Sequence, residues 1–434
     1  MKKILAAALV IAASLRAECQ TAAYGLEMAR RYVVTDYGVR ADEPVLPQTE
    51  KIQAVIDRAA EEGGGVVVIP RGTYVSGALF FRQGTHLRID KGGTLKGMDD
   101  IAHYPIVMTR MEGRTLKYFS ALVNADGIEG FSISGEGTID GNGHRFWREF
   151  WLRREYDKAC TNLEALRPRL IYISNCKDVS IDGIRMQNSA FWTLHIYRAE
   201  RVRITNTTTF SPTAPVKAPS TDAIDLDNCR DVLIRGCRIS VNDDAIALKG
   251  GKGAWADKDP DNGPNENIVV EDCDFGFVHS CLTLGSESVR DSNIVMRNCR
   301  IDGAARVIWL KFRPDTPQSY EDIRVEGLSG RSKDFLVIRP WTQFYDKGER
   351  DDMPTSSCKG LKISGIRMEC DRFWNVGASA DYELSGFELS DIDVKAADTA
   401  VDASTVKGLR AERVSLQPSG KAKSPDGERA GEAE

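Results

Sequence analysis

From Phe131 onward, apolar residues come in short runs that alternate with polar ones, and each run is cut by Asn, Asp or Gly. Alternation at period two predicts strands with one face turned to a core. The interrupting residues predict tight turns. The runs share one phrase, a polar residue followed by apolar, any, apolar, as in DVSIDG, RVRITN, DVLIRG, NIVVED, NIVMRN and DIRVEG. Aligned on the first apolar residue they fall at Val179, Val202, Val232, Ile268, Ile294, Ile323, Leu361, Phe387 and Leu409, at intervals of 22 to 38 residues. The shortest interval is the length of one solenoid coil, and the longer ones keep the strands and lengthen the turns. A β-sandwich also spaces its strands evenly, but it gives no reason for one phrase to return at coil length. The pattern predicts an all-β parallel β-helix.

Before the repeats, TEKIQAVIDRAAEE (49–62) places Ile52, Val55, Ile56 and Ala59 on one helical face, and Gly63, Gly64 and Gly65 end it. Such a helix is expected to cap the open first coil. Two stretches are too long for turns, His144 to Leu170 and Gly250 to Asn267, and are expected to project beside a groove. One elongated domain is expected over 24–416, because a solenoid core grows by stacking rather than by volume. The charged tail 417–434 is expected to be disordered.

The first residues, MKKILAAALVIAASLRA, set two lysines before an apolar run and then small residues. That layout predicts a secretory signal peptide over 1–23 and export of a soluble protein to the periplasm or beyond. The run is short for a bilayer span, and no later run is apolar enough. Export would allow the ten cysteines to pair. Several of them recur at matching places, as in SNCKDV, DNCRDV and RNCRI, which favours an internal ladder of small apolar side chains. No Cys-x-x-Cys pair is present, so no structural zinc is expected. A net charge of -5 gives no basic footprint for nucleic acid.

The chemistry is expected where acidic residues cluster. Asp222 precedes Asp243 by 21 residues, about one coil, and Asp244 follows at once. Coils stack about 4.8 Å apart, so the three carboxylates become neighbours and raise at least one pKa among them. A solenoid core has no use for that, whereas glycoside hydrolysis needs one protonated and one ionised carboxyl. Asp225 and Asp227 alternate with Ile224 and Leu226 and read as solvated turn residues. Calcium binding is the competing reading of the trio.

These residues resemble the polygalacturonase-like glycoside hydrolases of family 28, which act in pectin breakdown. Ser220-Thr221-Asp222 looks like the family's Asn-Thr-Asp, Asn242-Asp243-Asp244 like its Asp-Asp pair, and Val278-His279-Ser280 like its Gly-His-Gly. Trp309-Leu310-Lys311 stands where Arg-x-Lys belongs. The likeness runs from about residue 32 to 395 and includes VTDYGV, GGGVVVIPRGTY and GTIDGNG.

The resemblance implies a right-handed parallel β-helix and inverting hydrolysis without a metal or cofactor. Asp243 would be the general acid, Asp222 and Asp244 would hold and deprotonate the water, and His279 would set the acid's protonation. Lys311 would bind a substrate carboxylate. Trp309 replaces the family's arginine, and two readings stay open. Arg313, on the same strand face as Lys311, restores a cationic clamp, or Trp309 stacks on a neutral sugar such as rhamnose. Trp255, in the second excursion, is a candidate sugar platform, Trp192 reads as core, and Trp341 and Phe344 as the groove's far wall. The 250–267 excursion suggests a closed groove end and terminal cleavage. The chain is thus expected to act as a monomer on a pectic poly- or oligosaccharide. A rhamnogalacturonan hydrolase, a calcium-dependent lyase and a non-catalytic polysaccharide-binding β-helix are the alternatives.

Overall fold

A computed structural model of the protein describes residues 28–43, 46–344 and 350–419. Strands stack as a parallel solenoid, and the repeat phrase is its register. Val179 pairs with Val202, Val202 with Val232, Val232 with Ile268, Ile268 with Ile294 and Ile294 with Ile323. The frame continues through Arg324, Lys362, Glu388 and Arg410. The residue just before each aligned apolar position (Asp178, Arg201, Asp231, Asn267, Asn293, Asp322) has a positive φ between 53° and 59°. Asn and Asp tolerate the left-handed region best among residues with a Cβ, which explains why the phrase so often begins with one of them.

The inward positions form one continuous apolar core running the length of the solenoid. Cys176, Cys229, Cys237, Cys273, Cys299, Cys358 and Cys370 lie in that core as free, buried thiols, as the repeated placement implied. The helix Thr49–Glu61 buries Ile52, Val55, Ile56 and Ala59 against the strands Gly65–Ile69 and Leu79–Phe80. Gln53 holds it there by exchanging two hydrogen bonds with the Phe80 backbone. The final strand, Arg410–Pro418, takes in the first residues of the charged tail. The expected signal peptide at 1–23, Cys19 and residues 420–434 lie outside the described residues.

Two insertions leave the solenoid on one side. An antiparallel hairpin pairs Ile106–Met111 with Arg114–Phe119. The first long excursion folds into the helix His144–Tyr156. Among the described residues, no helix is long and apolar enough to cross a membrane.

Candidate active site

One strip of parallel strands carries the acidic residues: Leu194–Tyr197, Ile224–Asp227, Ile246–Lys249 and Leu282–Leu284. Asp222, Asp243, Asp244 and His279 all sit in the turns that lead into these strands. Ile224 pairs with Ile246, and the Ala223 amide donates to the Asp244 carbonyl at 3.0 Å. The coil is therefore 22 residues here, and Asp222 is in register with Asp244 rather than with Asp243. His279 instead stands over Asp243, its amide donating to the Asp243 carbonyl at 2.9 Å.

One oxygen from each of Asp222, Asp243 and Asp244 lies within 4.8 Å of the others. The distance is between single oxygens and not between whole carboxyl groups, whose separation is about 6.5–9.5 Å in inverting enzymes, so inversion is not legible in it. A water donating to two oxygens at about 2.8 Å each spans up to about 5.6 Å, and the gap suits one such bridging water. Burial, then the charges of Asp243 and Asp225, push Asp222 well above the ordinary carboxylate range, against the pull of Lys249. Of the three, Asp243 has the most exposed side chain, at 19 %, and Asp244 the least, at 1 %. The Asp243 carboxylate accepts from the Asp244 amide at 2.9 Å and lies 3.5 Å from His279 Nδ1.

The trio opens into a cavity with a water-accessible volume of about 100 Å³. Arg154, Lys217, Lys249, Lys252, Lys311 and Arg313 line it, facing Glu112 and Glu287 as well as the trio. Trp151, Trp192, Trp341 and Phe344 add aromatic walls, the first held by a hydrogen bond from its indole to the Lys217 carbonyl at 2.7 Å. Lys311 donates to Asp244 at 2.8 Å and lies over the rings of Trp309 and Trp341. The cations stand among aromatic faces, and Lys249, Lys252, Lys311 and Arg313 are each paired with a carboxylate, so the lining offers both charge and ring surfaces to a ligand.

Several expected residues have other places. Arg313 lines the cavity, but its guanidinium is held by both Asp315 oxygens at 2.8 Å and by the carbonyls of Gln343 and Phe344. It braces the far wall rather than forming a free clamp with Lys311. Trp309 is buried behind Lys311, with the Arg306 guanidinium 3.8 Å from its ring centre and Trp341 against its edge. Trp341, not Trp309, faces the cavity. Trp255 is 57 % exposed away from it, under the Arg350 guanidinium. Asp225 and Asp227 are wholly buried, contrary to the solvated turn expected of them. Both point out of the apolar core on the strand's other face, where Lys249, Arg110 and inserted structure cover them. Glu112, Lys249, Lys252 and Glu287 were missed by sequence reasoning. Lys249 ends an otherwise apolar run and Glu287 lies in the LGSES stretch, so both left a signal; Glu112 left none.

The hairpin walls the cavity. Glu112 at its tip lines the cavity that holds the carboxylate trio, while Val107, Met108, Thr109, Arg110 and Thr115 line a second hollow. Gly113 allows the close seat, since it has a φ of 72° and a Cβ there would come 2.8 Å from the Gly251 carbonyl carbon and 2.9 Å from the Lys252 nitrogen. Beneath the tip, Met111 and Tyr118 pack on Phe191 and Trp192. Arg110, fully buried, pairs with Asp227 at 3.0 Å, and Arg169 donates to the Arg110 carbonyl and to Thr109.

The model of the glycosyl hydrolases family 28 matches residues 67–411. A probable polygalacturonase of Vitis vinifera is 26 % identical over 61 % of this chain, and the match spans about half of that protein, 54 %. An endo-polygalacturonase of Pectobacterium parmentieri is 26 % identical over 67 % of this chain and 72 % of its own. An exopolygalacturonase structure from Thermotoga maritima superposes with a TM-score of 0.70 at 24 % identity, covering 89 % of this chain and 92 % of the other. That likeness is one of fold, the right-handed parallel β-helix.

Proposed function

The chain belongs to glycosyl hydrolase family 28, and on that premise we propose that this glycoside hydrolase is a secreted enzyme that removes terminal units from galacturonate-containing pectic chains with inversion. The carboxylate trio in the lining of a cavity that also carries lysines and arginines is the observation that carries the reading. In this account Asp243, the most accessible of the three, protonates the glycosidic oxygen as its bond to C1 breaks. A water held between Asp222 and Asp244 attacks C1 and gives its proton to that pair. Burial and the neighbouring carboxylates raise the proton affinity of Asp222, which makes it the stronger base once it is ionised. Lys311, beside the trio, holds a substrate carboxylate over Trp341.

Terminal cleavage is supported by the hairpin, whose tip seats against Gly251 and Lys252 and brings Glu112 into the cavity lining. Export rests on the N-terminal sequence pattern, and inversion on family membership. One observation favours the alternative, a rhamnogalacturonan-directed hydrolase of the same family: Arg313 is committed to Asp315 and does not join Lys311 in a clamp, although Trp309, buried behind Lys311, does not face the cavity to stack on a sugar. The test of the acid assignment is reducing-end release from polygalacturonate by wild type and Asp243→Asn. The account expects the variant to fold and to be inactive; full activity in it would remove Asp243 from the mechanism.

A further inference from the structure

Lys249 is buried at the end of the strand Ile246–Lys249 and meets three carboxylates at once. Glu287 lies at 3.1 Å, Asp225 at 3.9 Å and Asp222 at 4.0 Å. The ring of Trp192 closes the remaining side, 5.0 Å from the ammonium to its centre. Neither oxygen of Asp225 receives a hydrogen bond from the protein. Asp225 is wholly buried, and its in-register neighbours on the strip are His195 and Ala247. A buried carboxyl in that setting either finds a cation or keeps its proton; Lys249 lies at ion-pair distance, and the buried Arg169 guanidinium also acts on Asp225.

One ammonium cannot neutralise three carboxylates. Glu287 has the strongest hold, at hydrogen-bonding distance and with Ser286 and Lys252 helping to keep it ionised. What remains of the Lys249 field falls on Asp222 and Asp225 together. Asp244, from the same coil as Lys249, and Glu112, from the hairpin tip, add negative charge around it, and Lys252 adds positive. Burial and the neighbouring carboxylates raise both Asp222 and Asp225, and Lys249 opposes them for both.

We propose that Lys249 is a positioning residue that divides its charge between Glu287 and the Asp222–Asp225 pair and thereby sets the pH at which Asp222 gives up its proton. Lys249 acts through Asp222, and the proposal rests on the reading of Asp222 as part of the base. Glu287 is the counterweight: the tighter it holds Lys249, the more firmly Asp222 keeps its proton.

The test is the pH profile of kcat/KM on oligogalacturonate for wild type, Lys249→Met and Glu287→Gln. Removing the ammonium raises the acidic limb by about one pH unit or more, a tenfold loss on that limb. Removing the Glu287 charge frees the ammonium and lowers the same limb. Opposite movement of the two limbs is the expected result, since a merely structural role would lower activity in both variants without moving either limb. Unmoved limbs, or limbs that move together, overturn the proposal. Should Lys249→Met fail to fold, Glu287→Gln decides alone, a downward limb supporting the proposal and a fixed one overturning it. Asp222→Asn separates the two layers: wild-type turnover in that variant overturns the base assignment and the proposal together, whereas an inactive Asp222→Asn with unmoved limbs overturns the proposal only.

Discussion

His279 stands over Asp243 in two ways: its amide donates to the Asp243 carbonyl at 2.9 Å, and its Nδ1 lies 3.5 Å from the Asp243 carboxylate. The backbone bond fixes the ring next to the acid, so the histidine is placed to govern that carboxyl rather than to bind a distant sugar. His279→Ala is expected to lower kcat on oligogalacturonate by less than the roughly 10²–10⁴-fold that loss of a general acid costs, with KM little changed. Steady-state kinetics beside Asp243→Asn decide this; a rise in KM at constant kcat would make His279 a binding residue.

The two basic residues of the expected clamp should separate cleanly. Lys311 touches Asp244 and faces the cavity, so Lys311→Met is expected to raise KM and lower kcat together. Arg313 is spent on Asp315, which is buried. Arg313→Met takes away the bidentate cation of that buried carboxylate and is expected to lose about 3–5 kcal/mol of stability. Denaturant melts and kinetics on both variants check the division; a change confined to KM for Arg313→Met would restore the clamp.

The hairpin tip should set the product size. Gly113→Val is strained at a φ of 72° and clashes with the Gly251–Lys252 backbone, so it lifts the tip from its seat. Products from polygalacturonate are expected to shift from monomer towards a ladder of oligomers. Viscosity loss per reducing end formed measures the change, and monomer alone from the variant would remove the hairpin as the wall.

The hairpin's anchor should report on pH. Burial pushes His195 down to about 4, against the pull of Asp227. Its unfolded value lies near 6.5, so between about pH 6.5 and 4 the unfolded chain takes up a proton that the folded one refuses. Stability from this group is full above that window and falls as pH drops through it, by up to about 3 kcal/mol. Asp222 and Asp225 work the other way, since their raised folded values gain stability on acidification from the same side. The informative quantity is therefore the difference between wild type and His195→Gln in unfolding free energy, which is expected to narrow as pH falls from 6.5 to 4.

The solenoid was legible because its repeat is local. Each coil needs a left-handed turn residue and then two inward apolar positions, and that requirement writes itself into six phrases from Asp178 to Asp322. The trio was legible for the same reason, as one coil's length separates its members, with the pairing off by one residue because the coil is 22 long. What stayed hidden depends on contacts across many coils. Glu112 reaches the cavity on a hairpin anchored by long-range contacts, among them Arg110 with Asp227, 117 residues on, and Met111 with Phe191 and Trp192. The burial of Asp225 and Asp227 follows from that same cover, which no alternation pattern within 224–227 encodes. Trp255 misled because an exposed loop tryptophan has a second use, under the Arg350 guanidinium.

Product analysis on two substrates, polygalacturonate and the rhamnogalacturonan backbone, tests the central claim most directly. Reducing ends, product size and the ultraviolet absorbance of unsaturated uronide would be scored together, with the anomer formed first followed by NMR. The account predicts saturated monogalacturonate from polygalacturonate, released with inverted configuration. Products from rhamnogalacturonan alone would contradict the substrate assignment, and unsaturated uronide would contradict hydrolysis itself.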